Sequence, residues 1–121
     1  MEQNSEEKIS GGKKYKVFWH QNIKEDFEKI SSSLIEKIVS GVEHKLSTAP
    51  LLIGEPLKGT ISKLWKVAYS KYRIIYTINP KCHEVWVLSV MKREIVYQHA
   101  HVQAILQMAL ALHDKFETSD S

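Results

Sequence analysis

Cys82 is the one cysteine among 121 residues, so no internal disulfide can form and nothing ties the chain to an oxidising compartment. With three prolines and five glycines, the chain is neither collagen-like nor low in complexity. No apolar run approaches the roughly 20 residues that a membrane-crossing helix needs. The opening residues, among them Glu2, Ser5, Glu6, Glu7 and Ser10, lack the apolar stretch of a signal peptide. A cytoplasmic chain is therefore expected. Metal-ligand spacing is missing as well: there are six histidines, but no His/Cys/Asp set has the right intervals. His99 and His101 fall on different faces of a helix, and each histidine is expected as an ordinary surface residue. No metal or other cofactor is expected.

What is present is an ordinary globular composition, 43% hydrophobic and 26% charged, at a length that suits one domain with one core. The formal charge is only +3, but it is unevenly placed. Residues 56–97 hold eight Lys and Arg against Glu84 and Glu94, while the segments on either side are slightly acidic. A basic field concentrated in one segment is what a surface for an anionic partner requires.

Residues 1–14 lack periodicity and are expected as a disordered leader. Tyr15 to His20 alternates and is rich in aromatic and β-branched residues, so it predicts a strand. Asn22 with Glu25 reads as a capping box for a short helix to Ile30, with Ile23, Phe27 and Ile30 on one face. Ser33 with Glu36 starts a second helix, whose stripe is Leu34, Ile35, Ile38, Val39, Val42 and Leu46. Gly41 weakens that helix by about 1 kcal/mol relative to Ala, and Pro50 ends it. A loop over 51–62, punctuated by Gly54, Pro56 and Gly59, follows.

Strands are then expected over Leu64–Tyr69, Tyr72–Ile78 and Glu84–Met91. Short links make them an antiparallel meander, with the first strand added along an edge. Ser70-Lys71 is poor chemistry for a two-residue turn compared with Asn-Gly, which leaves room for a bulge there. From about Glu94 to Lys115 the pattern is helical after an irregular start near Tyr97, with Val102, Ile105, Leu106, Ala109 and Leu112 as a core-facing stripe. The expected domain spans 15–116, and residues 117–121 are a disordered tail. The fold class is α+β: a twisted antiparallel sheet of about four strands, an N-terminal helical hairpin packed on one face, and a C-terminal helix.

Period two assigns faces. Trp65, Val67 and Tyr69, then Tyr72, Ile74, Tyr76 and Ile78, then Trp86, Leu88 and Val90 read as the apolar face. Lys66, Arg73 and Arg93 then share an opposite, open face, with Tyr97 at its rim. Arg presents a planar fork to phosphate oxygens and stabilises charge that develops on them. A Lys or Tyr beside the same phosphate can move protons. The set therefore suits metal-independent phosphoryl transfer on RNA. Trp65 and Trp86 read as core.

At these residues the chain resembles the RelE/ParE superfamily of bacterial and archaeal toxins. The resemblance rests on the order strand, helical hairpin, Leu57-Lys58-Gly59, Leu64-Trp65-Lys66-Val67, Tyr72-Arg73-Ile74-Ile75-Tyr76 and Lys92-Arg93-Glu94-Ile95-Val96-Tyr97. It spans roughly Lys14 to Tyr97 and implies a cognate antitoxin that wraps the toxin. RelE-type members enter the ribosomal A site and cleave mRNA by attack of the 2′-hydroxyl on the adjacent phosphate. By that resemblance Lys66 binds or activates the phosphate, Arg73 stabilises transition-state charge, Arg93 fits the basic position of the last strand, and Tyr97 stacks on and orients a base. Lys58, Lys63, Lys71 and Lys92 are implied contacts to RNA or ribosome. One departure stands out: RelE has a second basic residue two positions after the first strand cation, where this chain has Ala68. Lys71, Glu94 or His99 are the candidate substitutes. The expected function is a ribosome-dependent endoribonuclease toxin. The alternatives are a ParE-like inhibitor of DNA gyrase, or a relic that only binds its antitoxin.

Overall fold

A computed structural model describes residues 14–57, 63–96 and 98–119. The expected leader, save Lys14, lies outside the described residues. Strand β1 (Lys16–Trp19) leads into helix α1 (Ile23–Phe27), α2 (Ser32–Thr48) and the single-turn α3 (Pro50–Ile53). Strands β2 (Glu55–Pro56), β3 (Trp65–Tyr69), β4 (Tyr72–Asn79) and β5 (Glu84–Lys92) follow, then α4 (Arg93–Val96) and α5 (His99–Ser119). The class is α+β, as expected, with five strands in the order β1-β5-β4-β3-β2. The sheet is mixed, since β1 pairs parallel to β5 while the other pairs are antiparallel. Helix α5 continues through Ser119, into the stretch expected as a tail.

Both faces of the sheet are covered, which corrects the expectation of one open face. On one face, Ile38, Val42 and Leu46 of α2 pack with Ile74, Tyr76, Ile78, Val85 and Val87. On the other, Ile105, Ala109 and Leu112 of α5 pack with Leu64, Ile75, Leu88 and Val96. Strand β4 is consequently buried from Ile74 to Asn79 without alternation, as a strand with two covered faces should be. The ladder also slips. Ile75 pairs with Ser89 but Tyr76 with Val87, so Leu88 is an extra residue in β5. This bulge flips the alternation: Val90 joins Val85 and Val87 on the α2 face, whereas Trp86 and Leu88 face α5. The expected grouping of Trp86, Leu88 and Val90 is therefore divided. At Ser70-Lys71 no bulge forms, and the register is continuous from Ala68–Arg73 to Tyr69–Tyr72. Ser70 takes the left-handed φ of 57° that the tight turn needs.

The helix starts also differ in detail. Asn22 makes no side-chain cap, because its backbone is helical and its N–H donates to His20 Nδ1 at 3.1 Å. Helix α2 starts at Ser32, with Ser31 in the extended cap position. Helix α2 ends at Thr48, and Pro50 then opens α3 instead of a loop, since a proline lacking an N–H suits the first turn. Gly41 has a packing purpose. A Cβ there would sit 2.8 Å from Cε2 of Tyr69, so the glycine lets that ring lie directly against α2. Gly54 likewise makes room for the Tyr76 hydroxyl, which donates to the Pro50 carbonyl at 2.7 Å. Burial pushes the Tyr76 phenol well above its usual range.

Candidate functional site

Lys66 and Arg73 meet in one cleft of about 500 Å³, lined also by Lys45, Ile53, Glu55, Val67 and Ala68. Arg73 lies directly across the β3–β4 ladder from Ala68. Its Nη1 donates to the carbonyls of Ser70 at 3.2 Å and Tyr72 at 3.0 Å. Both bonds come from one nitrogen, so the hairpin turn fixes the plane of the guanidinium. Nε and Nη2 make no hydrogen bond among the described residues, and they remain available to an anion. Lys66, half-buried, holds its ammonium 3.8 Å from Glu55 Oε1. The cleft thus gathers three cations against one acid, which suits an anionic ligand.

Arg93 is placed differently from the expectation. Strand β5 ends at Lys92, and Arg93 opens α4, so strand alternation does not set its face. Its N–H donates to the Lys71 carbonyl at 3.1 Å, while Tyr72 pairs with Lys92. The structure therefore brings the backbones of Lys71, Lys92 and Arg93 together at the hairpin end of the sheet. From there to the position of Ile75, opposite Lys66, is four residues, or about 13 Å of strand. That length exceeds one phosphate and suits a backbone carrying several. Lys63 is not part of this set. Its carbonyl accepts the Thr77 hydroxyl at 2.6 Å, about 13 Å along β4 from Arg73. Lys58 and Tyr97 lie outside the described residues, and His99 is the first residue of α5. Glu94 is exposed in α4.

Sequence reasoning missed Lys45, which reaches the cleft from α2 with its Nζ 5.9 Å from the centre of the Tyr69 ring. It lies beside Leu46 and outside the apolar stripe, so spacing alone does not single it out. His101 and His113 were expected at the surface. Instead they tie α5 to the sheet: His101 Nε2 lies 3.0 Å from Ser89 Oγ and His113 Nε2 lies 2.7 Å from Thr77 Oγ1. Since Thr77 gives its proton to Lys63, the His113 Nε2 must donate. Burial, more than any charge, lowers the pKa of both histidines. No group of three or more His, Cys, Asp or Glu among the described residues is placed to hold a metal. No helix among them is long and apolar enough to cross a membrane.

The family model for the ParE toxin of the type II toxin–antitoxin system parDE matches residues 17–97. The chain belongs to this family. Among solved structures, the toxin–antitoxin complex RelBE2 from Mycobacterium tuberculosis matches at 25% identity and a TM-score of 0.62, over 66% of this chain and 92% of that one. The archaeal RelE–RelB complex from Pyrococcus horikoshii matches in fold at 19% identity and a TM-score of 0.55, over 68% and 98%. A mutant of Escherichia coli toxin RelE in the free state does so at 18% and 0.57, over 81% and 96%. Comparison with curated proteins gives no match. The protein is a RelE/ParE-superfamily type II toxin.

Proposed function

We propose that this toxin is a RelE-type, ribosome-dependent endoribonuclease. The observation that carries the reading is the meeting of Lys66 and Arg73 in one cleft, with Arg73 held by two carbonyls of its own turn. In the proposed reaction the 2′-oxygen of the RNA bonds to the adjacent phosphorus and the bond to the 5′-oxygen breaks. The 2′-hydroxyl loses a proton and the leaving oxygen gains one, so the products are a cyclic phosphate and a 5′-hydroxyl. Arg73 stabilises the charge that grows on the phosphoryl oxygens. Lys66 holds the same phosphate, Arg93 holds the backbone beyond it, and Tyr97 orients a base. Lys71 and Lys92 extend the cationic track, Lys63 contacts RNA or ribosome outside the cleft, and Lys58 is a further contact to RNA or ribosome. Ribosomes and mRNA as partners place the activity in the cytoplasm.

A cognate antitoxin is the expected protein partner. The matching RelBE2 and archaeal RelE structures are toxin–antitoxin complexes. The exposed Leu51, Leu52 and Ile53 of α3 would suit an apolar segment of such a partner. A ParE-like inhibitor of DNA gyrase is the second reading, favoured by the family model that matches and by Ala68 in the cleft. Primer extension on translated mRNA after induction separates the two. Cleavage inside codons that disappears in Arg73→Ala supports the nuclease; growth arrest that persists in Arg73→Ala, with accumulating DNA breaks, supports gyrase.

A further inference from the structure

We infer that Lys45 of α2 is an RNA-binding residue of the toxin, gripping the phosphodiester next to the one held by Lys66 and Arg73. The inference rests on the proposed nuclease reading and deepens it. Strand β2 pairs with β3 only at Trp65 and Lys66, so the outer edge of β3 from Val67 to Tyr69 has no neighbouring strand among the described residues. The cleft wraps this edge, and that is how a residue of α2 lines it together with cations from the sheet.

The placement of Lys45 is built into the helix. Gly41 and Lys45 are four residues apart, so they share one stripe of α2. Gly41 admits the Tyr69 ring against the helix, and Lys45 carries its ammonium over the same ring. The aromatic face attracts the cation and keeps it at the end of β3. Ala68, exposed and lining the cleft opposite Arg73, fills little of the space between the cations. A volume of about 500 Å³ lies within the range of sites that enclose a small organic ligand, enough for one nucleotide unit. Among the described residues that line the cleft, Glu55 is the one acid facing the three cations, and it pairs with Lys66. Phosphodiester oxygens are the ligand chemistry that this charge balance and open strand edge favour.

The test uses the purified full chain and a short single-stranded RNA whose 2′-oxygens are methylated, so that it binds without being cut. Fluorescence anisotropy across a salt series reads affinity and the number of phosphate contacts. Lys45→Ala is expected to weaken binding about 5- to 10-fold and to reduce the salt slope by about 0.7, as loss of one single-strand phosphate contact does. Lys45→Arg should retain binding, and adding Ala68→Lys to Lys45→Ala should restore much of it by supplying a cation to the same space. Unchanged affinity and slope in Lys45→Ala, or no RNA binding by the parent, would overturn the inference. Ribosome-dependent cleavage is measured separately. A parent that binds through Lys45 but never cuts keeps the RNA cleft and removes the nuclease reading. A parent that cuts while Lys45→Ala binds and cuts equally well removes Lys45 alone.

Discussion

The carboxylate of Asp26 accepts a hydrogen bond from the backbone N–H of Val90 at 2.9 Å, 64 residues away along the chain. Pairing of β1 with β5 stops at Val87, so β5 runs on without a strand on that side. Asp26, buried on α1, takes the place of the missing strand for one donor.

Removing that acceptor should cost about 1–3 kcal/mol, the usual penalty for an unsatisfied buried N–H. Urea unfolding of Asp26→Ala should show the loss, and Asp26→Asn, which keeps an oxygen, should show less. Burial raises the Asp26 pKa, against the opposing pull of Val90 N–H, His101, Lys29 and the Ser89 hydroxyl. The folded protein therefore holds this proton more tightly than the unfolded chain. The contribution is complete below the ordinary value of 3.8 and is lost as pH rises through the raised value. Asp26→Asn should be flat in that window, and equal slopes in parent and variant would refute the assignment.

Helix α5 should loosen in mild acid. His101 and His113 have lowered pKa values because burial disfavours their charged forms, and Lys63 adds to this at His113 while Glu117 opposes it. At His101, Asp26 opposes and Lys29 assists. A lowered histidine pKa stabilises the fold above the ordinary value of 6.5 and loses that contribution as pH falls below it. Denaturant midpoints should therefore fall between pH 7.5 and about 5.5. His113→Gln keeps a donor for Thr77 but cannot titrate, so its midpoint should fall less. An unaltered fall would mean that other groups set the acid response.

Gly41 and Tyr69 should behave as a coupled pair. Gly41→Ala alone gains about 1 kcal/mol of helix propensity but drives a methyl against the Tyr69 ring, and overpacking costs about 1–3 kcal/mol. A net fall in Tm is expected. In a Tyr69→Ala background the same change should raise Tm. A double-mutant cycle without coupling would refute the contact.

The order of elements was legible because apolar spacing of two and of three to four separates strands from helices over most of the chain. Strand β2 was not, since Glu55-Pro56 has no alternation and its proline cannot donate to a ladder. The faces of β5 were hidden for another reason. Val85-Trp86-Val87-Leu88-Ser89-Val90 is apolar almost throughout, so period two cannot reveal that Leu88 is a bulge or that α5 covers the second face. Arg73 and Lys66 could be paired from strand spacing alone, because β3 and β4 join by a short turn without slippage. Lys45 could not be found that way: its place in the cleft depends on where α2 crosses β3, a distant contact.

Arg73→Lys tests whether the cleft does more than attract phosphate. A lysine keeps the charge but lacks the planar fork that bonds Ser70 and Tyr72 carbonyls through one nitrogen while offering others to an anion. Binding to uncleavable RNA should therefore stay within about threefold of the parent, since charge dominates that term. Single-turnover cleavage of ribosome-bound mRNA should fall about 100- to 1,000-fold, the size of losing one aligned donor to the transition state. Loss of both in proportion would make Arg73 a binding residue only. Retention of both would show that a charge at this position suffices, and the fixed guanidinium plane would then have no part in the chemistry.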